Sequence, residues 1–292
     1  MDPGGERLML RDMQELTRRL WPSRWHIGDM AWMWFQHTGR ESERRTALWE
    51  RGGQTVAWAW ANLPNGTLDL QLDPAHPELA DEILAWFAET GGQSVTVLED
   101  ETAMIEALRR HGYREWTEGP FFIHLSRSLA DPLPEPAVPG GYTLRPVRSE
   151  DDAEARAAVH RAAFTLPGGP PSRVTTESYR AIMRAWPYRS ELDWFVTAPD
   201  GTPAASCLVW LDERNKIAIL EPVGTDPGHR RLGLASAAIL GALRTARDLG
   251  AENARVCARG DDAYPSARAT YMSVGFRPYA RNRTFVLPEA TP

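Results

Sequence analysis

The residues best placed to do chemistry lie in one run, Glu221-Pro-Val-Gly-Thr-Asp-Pro-Gly-His-Arg-Arg-Leu-Gly-Leu-Ala235. The run reads as the end of an apolar strand, a Pro/Gly turn, and a basic, glycine-containing entry into an alanine-rich helix. A helix N-terminus leaves backbone N–H groups unpaired and carries partial positive charge, so it is a natural seat for phosphate oxygens. Arg230 and Arg231 add fixed charge, and Gly233 lets the backbone come close to a ligand. Cations in a first helical turn oppose the macrodipole, so this pair implies a nearby anion. Glu221, just upstream, is a carboxylate able to take a proton from an attacking ammonium, directly or through water.

The elements around this run must hold it in place. In the second half, strands are expected over 142–148, 194–198, 204–211, 216–223, 254–258 and 284–287, with helices near 150–163, 175–186, 231–249 and 265–273. The long helix is read from Leu232, Ala235, Ile239, Ala242, Leu243, Ala246 and Leu249 at helical spacing, with Gly250 as its stop. Pro199-Asp-Gly201 marks a hairpin turn. The first half repeats the order: a helix near 8–20, strands at 46–49, 55–61 and 68–72, a helix at 78–89, strand 94–98, helix 102–110 and strand 121–125. Asp73-Pro-Ala-His76 echoes Asp226-Pro-Gly-His229, and Gly112-Tyr113 echoes Gly275-Phe276. Between the halves, residues 129–141 are proline-rich and read as a linker. The expectation is a mixed-sheet α/β fold in two tandem copies, with units at 1–130 and 140–292 joined by 131–139.

Composition narrows the function classes. A chain 42% hydrophobic and 25% charged is that of a soluble globular protein. Its net charge of −6 argues against general nucleic-acid binding, which needs a basic face, and suits a cationic substrate such as an amine. Cys207 and Cys257 lie in apolar runs without metal-ligand spacing, which predicts two buried reduced thiols and no metal site. The opening Met1-Asp-Pro-Gly-Gly-Glu-Arg7 lacks a secretion pattern, and no apolar run approaches the ~20 residues of a membrane span, so a cytoplasmic protein off the membrane is expected. Of the 12 tryptophans, the cluster Trp32, Trp34, Trp49, Trp58 and Trp60 fits core packing better than an aromatic substrate pocket.

The segment Arg230-Arg-Leu-Gly233-Leu-Ala235 resembles the Arg/Gln-x-x-Gly-x-Gly/Ala signature of the GNAT superfamily of acyl-CoA-dependent N-acyltransferases, in its tandem form. The strand-turn-helix around it and Tyr271-Met-Ser-Val-Gly275-Phe276 downstream strengthen the resemblance, which covers about 140–292 well and about 1–130 in outline. The resemblance implies that Arg230, Arg231, Leu232, Gly233, Leu234, Ala235 and Ser236 hold the pyrophosphate of acetyl-CoA. It implies that Val223, Gly224 and Thr225 lie along the pantetheine arm, with the Val223 N–H on the thioester carbonyl, and that Tyr271 is the general acid beside Glu221 as base. Where many members carry Asn-Pro-x-Ala, this chain has Tyr264-Pro-Ser-Ala267, so Tyr264 stands at a cofactor-contact position with different chemistry. In register, Arg230, Arg231, Gly233 and Ala235 face Pro77, Glu78, Ala80 and Glu82, while Glu221 faces Leu68 and Tyr271 faces Leu108. Glu78, Asp81 and Glu82 would repel a diphosphate, so the first copy is expected to be degenerate. The resemblance implies acetyl transfer to a small-molecule amine in a ternary complex, by a monomer or homodimer. A mycothiol-synthase-like transfer to a sugar-thiol amine, or acyl-CoA sensing without catalysis, are the alternatives.

Overall fold

Pro203–Asp212 is buried at nearly every position, as a strand covered on both faces must be, and it forms the middle of the second half. The protein is described by a computed structural model over residues 3–165 and 169–288. The first two residues of the expected N-terminal unit, residues 166–168 and the last four residues of the expected C-terminal unit lie outside the described residues.

The first half runs α1 (Pro3–Arg19), α2 (Ile27–Phe35), β1 (Arg44–Arg51), β2 (Gln54–Asn62), β3 (Thr67–Leu72), α3 (Leu79–Ala88), β4 (Ser94–Leu98), α4 (Thr102–Arg110), β5 (Arg114–Glu115) and β6 (Phe122–Ser128). The second runs β7 (Thr143–Pro146), α5 (Ala153–Phe164), α6 (Thr176–Met183), β8 (Asp193–Thr197), β9 (Pro203–Asp212), β10 (Ile217–Thr225), α7 (Leu234–Asp248), β11 (Asn253–Arg259), α8 (Ser266–Ser273) and β12 (Arg277–Val286). The order β9-β10-α7-β11-α8-β12 thus matches β2-β3-α3-β4-α4-β6.

Among the described residues the strands join in one sheet of order β1-β2-β3-β4-β12-β6-β11-β10-β9-β8-β7, with β5 on β12. The pairs β3/β4 and β10/β11 are parallel; the rest are antiparallel. The two halves exchange their last strands. β6, from before the proline-rich segment, pairs with β11 from Asn253↔Ser128 to Arg259↔Phe122. β12 leaves the second half and pairs with β4 from Asn282↔Leu98 to Val286↔Ser94. Residues 131–139 carry no helix or strand, yet they are pinned at both sides: the Pro132 carbonyl accepts from Arg127 of β6 (2.6 Å), while Leu133 is buried in the second half's core and its carbonyl accepts from Arg244 of α7 (3.0 Å).

α2 has no counterpart in the sequence expectation, and its environment explains why. Met30 and Trp34 join Trp58 and Trp60 in one apolar cluster, while Ala31 and Trp32 join Leu208, Trp210 and Ile219 of the second half in another. A helix buried on both sides shows no polar stripe, so its sequence lacks the amphipathic period. Trp32, Trp34, Trp58 and Trp60 are core, and Trp49 meets Trp86 edge-on at 6.0 Å. Among the described residues no helix is long and apolar enough to cross a membrane.

Candidate active site

The ladder between β10 and β11 is short. It pairs Ile217, Ala218 and Ile219 with Asn253, Ala254 and Arg255, and the two strands then diverge. On its other side β10 shifts register against β9: Leu220 faces Val209 and Val223 faces Cys207, so Glu221 and Pro222 share one opposing residue. This is a β-bulge, a device that re-aims side chains and ends pairing. Beyond it the Asp226 N–H donates to the Ala204 carbonyl at 2.9 Å. Antiparallel alternation therefore turns Gly224 toward β9 and points the N–H and C=O of Val223 and Thr225 into the gap beside β11. Gly224 is needed for another reason: a Cβ there would lie 2.7 Å from the Ala163 Cβ and 3.1 Å from the Phe164 ring, where α5 packs over the strand.

The gap opens onto the turn before α7. Asp226 caps a short 3-10 turn by accepting from the Gly228 N–H at 2.7 Å, and Tyr142 and His229 meet at 3.0 Å between hydroxyl and Nδ1. Arg231 and Gly233 both have positive φ, 64° and 77°, so α7 begins at Leu234 rather than at 231. At 233 the conformation itself calls for glycine, and nothing lies within 4 Å of where its Cβ would be. Next along the chain, the first-turn N–H groups of Leu234, Ala235 and Ser236 have no intrahelical partners. Arg230, Arg231 and Leu232 are exposed. Arg230 Nε approaches the Thr225 carbonyl at 3.4 Å, and neither arginine forms an ion pair with a described residue.

Glu221 lies two residues beyond the last β10/β11 pair, and its charge is felt at the Tyr271 phenol. Glu221 is partly buried on β10, and Tyr271, on α8, is 6% exposed. Burial pushes the Glu221 carboxyl up to about 8, with the negative charge of Asp29 adding to the rise. Burial also holds the Tyr271 phenol well above its ordinary value, helped by Glu221 and then by Cys207, Cys257 and Tyr264. Tyr264 is 37% exposed. Cys207 and Cys257 are free thiols, and burial pushes Cys257 up to about 12, so neither is a ready nucleophile.

Asp29 and Trp210 also bear on Glu221, and no motif in the sequence marks either. Asp29 belongs to α2, where its Oδ2 accepts from the His26 N–H at 2.9 Å as part of a capping box. Burial raises its carboxyl to about 6, against the pull of Arg255 (3.7 Å away), the His26 N–H and Arg24. Trp210 Nε1–H donates to the Glu221 carbonyl at 2.7 Å. No local signal in the sequence ties Asp29 to a residue so far along the chain. Two surface hollows, one by Arg148, Met183 and Glu191 and one by Leu129, Pro132 and Arg247, include none of these residues.

At the matching place in the first half, the start of α3, the carboxylates are paired. Asp81 is held by Arg110 at 2.8 Å and His111 at 2.9 Å, Glu82 by Arg51 at 3.3 Å and Glu78 by His76 at 3.3 Å. No bulge breaks the described register of β2 with β3, and Leu68, set against Glu221 in the sequence register, instead pairs with Val95 in the parallel ladder as Ala218 does with Ala254. Among the described residues no cluster of His, Cys, Asp and Glu could hold a metal ion.

Residues 160–276, from α5 through α8, match the model of the acetyltransferase (GNAT) family. A tandem GNAT protein from the clavulanic acid biosynthesis pathway superposes over 100% of this chain and 97% of its own, with a TM-score of 0.64 at 15% identity. The fold is that of the GNAT acetyltransferases. A GCN5-related N-acetyltransferase from Sphaerobacter thermophilus shares the GNAT fold over 95% of this chain and 90% of its own (TM-score 0.62, 18% identity). A GNAT-family acetyltransferase from Colwellia psychrerythraea does so over 95% and 97% (TM-score 0.62, 13% identity). Comparison with curated protein sequences returns no match.

Proposed function

We propose that this chain is an acyl-CoA-dependent N-acyltransferase with two GNAT-like units, at 1–130 and 140–292, and one working site, in the second. The observation that supports the reading is the β10/β11 ladder ending at Ile219↔Arg255, with Glu221 two residues beyond it, its charge felt at Tyr271, and unobstructed space at Gly233 before α7. Acetyl-CoA fits these residues. The first-turn N–H groups of α7, with Arg230 and Arg231, suit its diphosphate. The backbone groups of Val223 and Thr225 suit its amide-bearing arm, while Leu232 and Tyr264 flank the path. Bound there, acetyl-CoA supplies the activated acyl carbonyl.

The chain's own groups do the rest. Glu221 takes the first proton from a small-molecule ammonium, and the freed nitrogen attacks the thioester carbonyl. The Val223 N–H faces the developing oxyanion. As the C–S bond breaks, the Tyr271 hydroxyl gives its proton to sulfur, and the nitrogen's second proton replaces it. The charge on Glu221 raises the Tyr271 hydroxyl, so a Glu221 that has just been protonated makes that hydroxyl easier to ionise when its proton is needed. The tandem description of the clavulanic acid pathway protein, matched end to end, supports the two-unit reading. A panel of amines assayed for thiol release from acetyl-CoA tests it. Turnover on at least one amine, lost in Glu221→Gln, is expected; tight acetyl-CoA binding without turnover on any amine would point to a sensor instead.

A further inference from the structure

The N-terminal turn of α2 reaches the candidate base from the other half of the chain. Gly28 lies against Trp210: a Cβ on Gly28 would stand 2.2 Å from the Trp210 Cβ and 2.3 Å from its Cγ, so no other residue lets the helix come this close. Trp210 is fully buried, and Tyr188 meets its ring edge-on at 6.1 Å between centroids. Held between these neighbours, the indole directs its one polar atom, Nε1–H, at the Glu221 carbonyl, 2.7 Å away. That carbonyl belongs to the bulge, where the ladder to β9 slips register.

We propose that Gly28 and Trp210 are positioning residues for Glu221, through which the first half of the chain fixes where the second half's base points. The proposal rests on Glu221 being that base. A bulged residue lacks the regular ladder bonds that orient its neighbours, and a buried donor on its carbonyl supplies the missing restraint. Holding that carbonyl restricts rotation about the Glu221 Cα–C bond, and so restricts the direction of Cα–Cβ and keeps the carboxyl under the charge of Asp29 and out of water. Neither Gly28 nor Trp210 touches the reacting atoms. The first half thereby works as a mount for the second site.

The test replaces Trp210 with β-(3-benzothienyl)alanine, which keeps the ring shape and exchanges N–H for sulfur, and separately makes Gly28→Ala. In the full chain labelled with 13C-glutamate, the Glu221 carboxyl resonance is assigned by its loss in Glu221→Gln and titrated. The ionisable groups that bear on it or share its pocket are Asp29 on α2, Tyr271 on α8, Cys207 on β9 and Cys257 on β11, and none of them is altered. Positioning predicts that the midpoint falls by about one pH unit or more toward that of an ordinary glutamate, with far-UV circular dichroism unchanged. A midpoint equal to the parent's in the folded benzothienyl variant overturns the proposal, and that variant decides alone should Gly28→Ala not fold. The readout needs neither acceptor nor turnover. Failure of the parent chain to bind acetyl-CoA would therefore sink the transferase reading while leaving the positioning result to stand or fall separately.

Discussion

Glu221→Gln should change how stability depends on pH, because the folded chain holds the Glu221 proton more tightly than the unfolded chain does. The carboxyl moves from 4.5 to about 8 on folding, mainly through burial. At ~1.4 kcal/mol per pH unit, complete ionisation in the folded state costs at most about 5 kcal/mol. Glu221 keeps some contact with water, so a measured cost of about 2 kcal/mol is the working figure. Its sign follows from a raised value in a carboxylate. The contribution of the protonated group is fully present below pH 4.5 and is lost as pH rises toward 8. The assay is urea unfolding of both proteins from about pH 5 to pH 9, taking the difference in unfolding free energy at each pH so that other groups cancel. The glutamine variant should gain on the parent by about 2 kcal/mol across that interval. Parallel profiles would refute the placement of this carboxyl in a desolvated gap.

The same group sets the pH dependence of turnover: kcat/KM should rise through about pH 8 as Glu221 ionises, and Asp29→Asn should move that midpoint down by removing the neighbouring charge. Tyr271→Phe should lower kcat by roughly 10- to 100-fold and leave calorimetric affinity for coenzyme A unchanged, and equal loss of both would make Tyr271 a packing residue only. Arg156 and Asp193 form a buried ion pair at 2.7 Å, so Arg156→Met should cost about 3–5 kcal/mol by urea unfolding, because the carboxylate is left without its partner.

The second half was largely legible because its signals are local. The helical spacing behind α7, the Pro199-Asp-Gly201 turn and the glycine-containing entry at Gly233 each depend on residues a few positions apart, and the elements appear within a few residues of where those signals put them. The start of α7 differs because two consecutive-but-one residues, Arg231 and Gly233, take positive φ, which composition does not reveal in an arginine. What could not be read was long-range. β6 closes its own half in sequence order, but it pairs with β11, and apolar alternation says nothing about which partner a strand will take. α2 was hidden by being buried on both sides. Asp29 and Trp210 bear on Glu221 only because α2 docks across the halves, so the candidate acid and base could be named from the chain while the residues around them could not.

The claim at the centre is a single acetyl-CoA site at the turn before α7. A calorimetric titration of the full chain with acetyl-CoA, run beside Gly233→Glu and Glu78→Ala, tests it most directly. One molecule is expected to bind per chain, with no binding in Gly233→Glu, which puts a carboxylate beside the helix N-terminus, and parent-like binding in Glu78→Ala. Unchanged affinity in Gly233→Glu, or two molecules bound per chain, would contradict it.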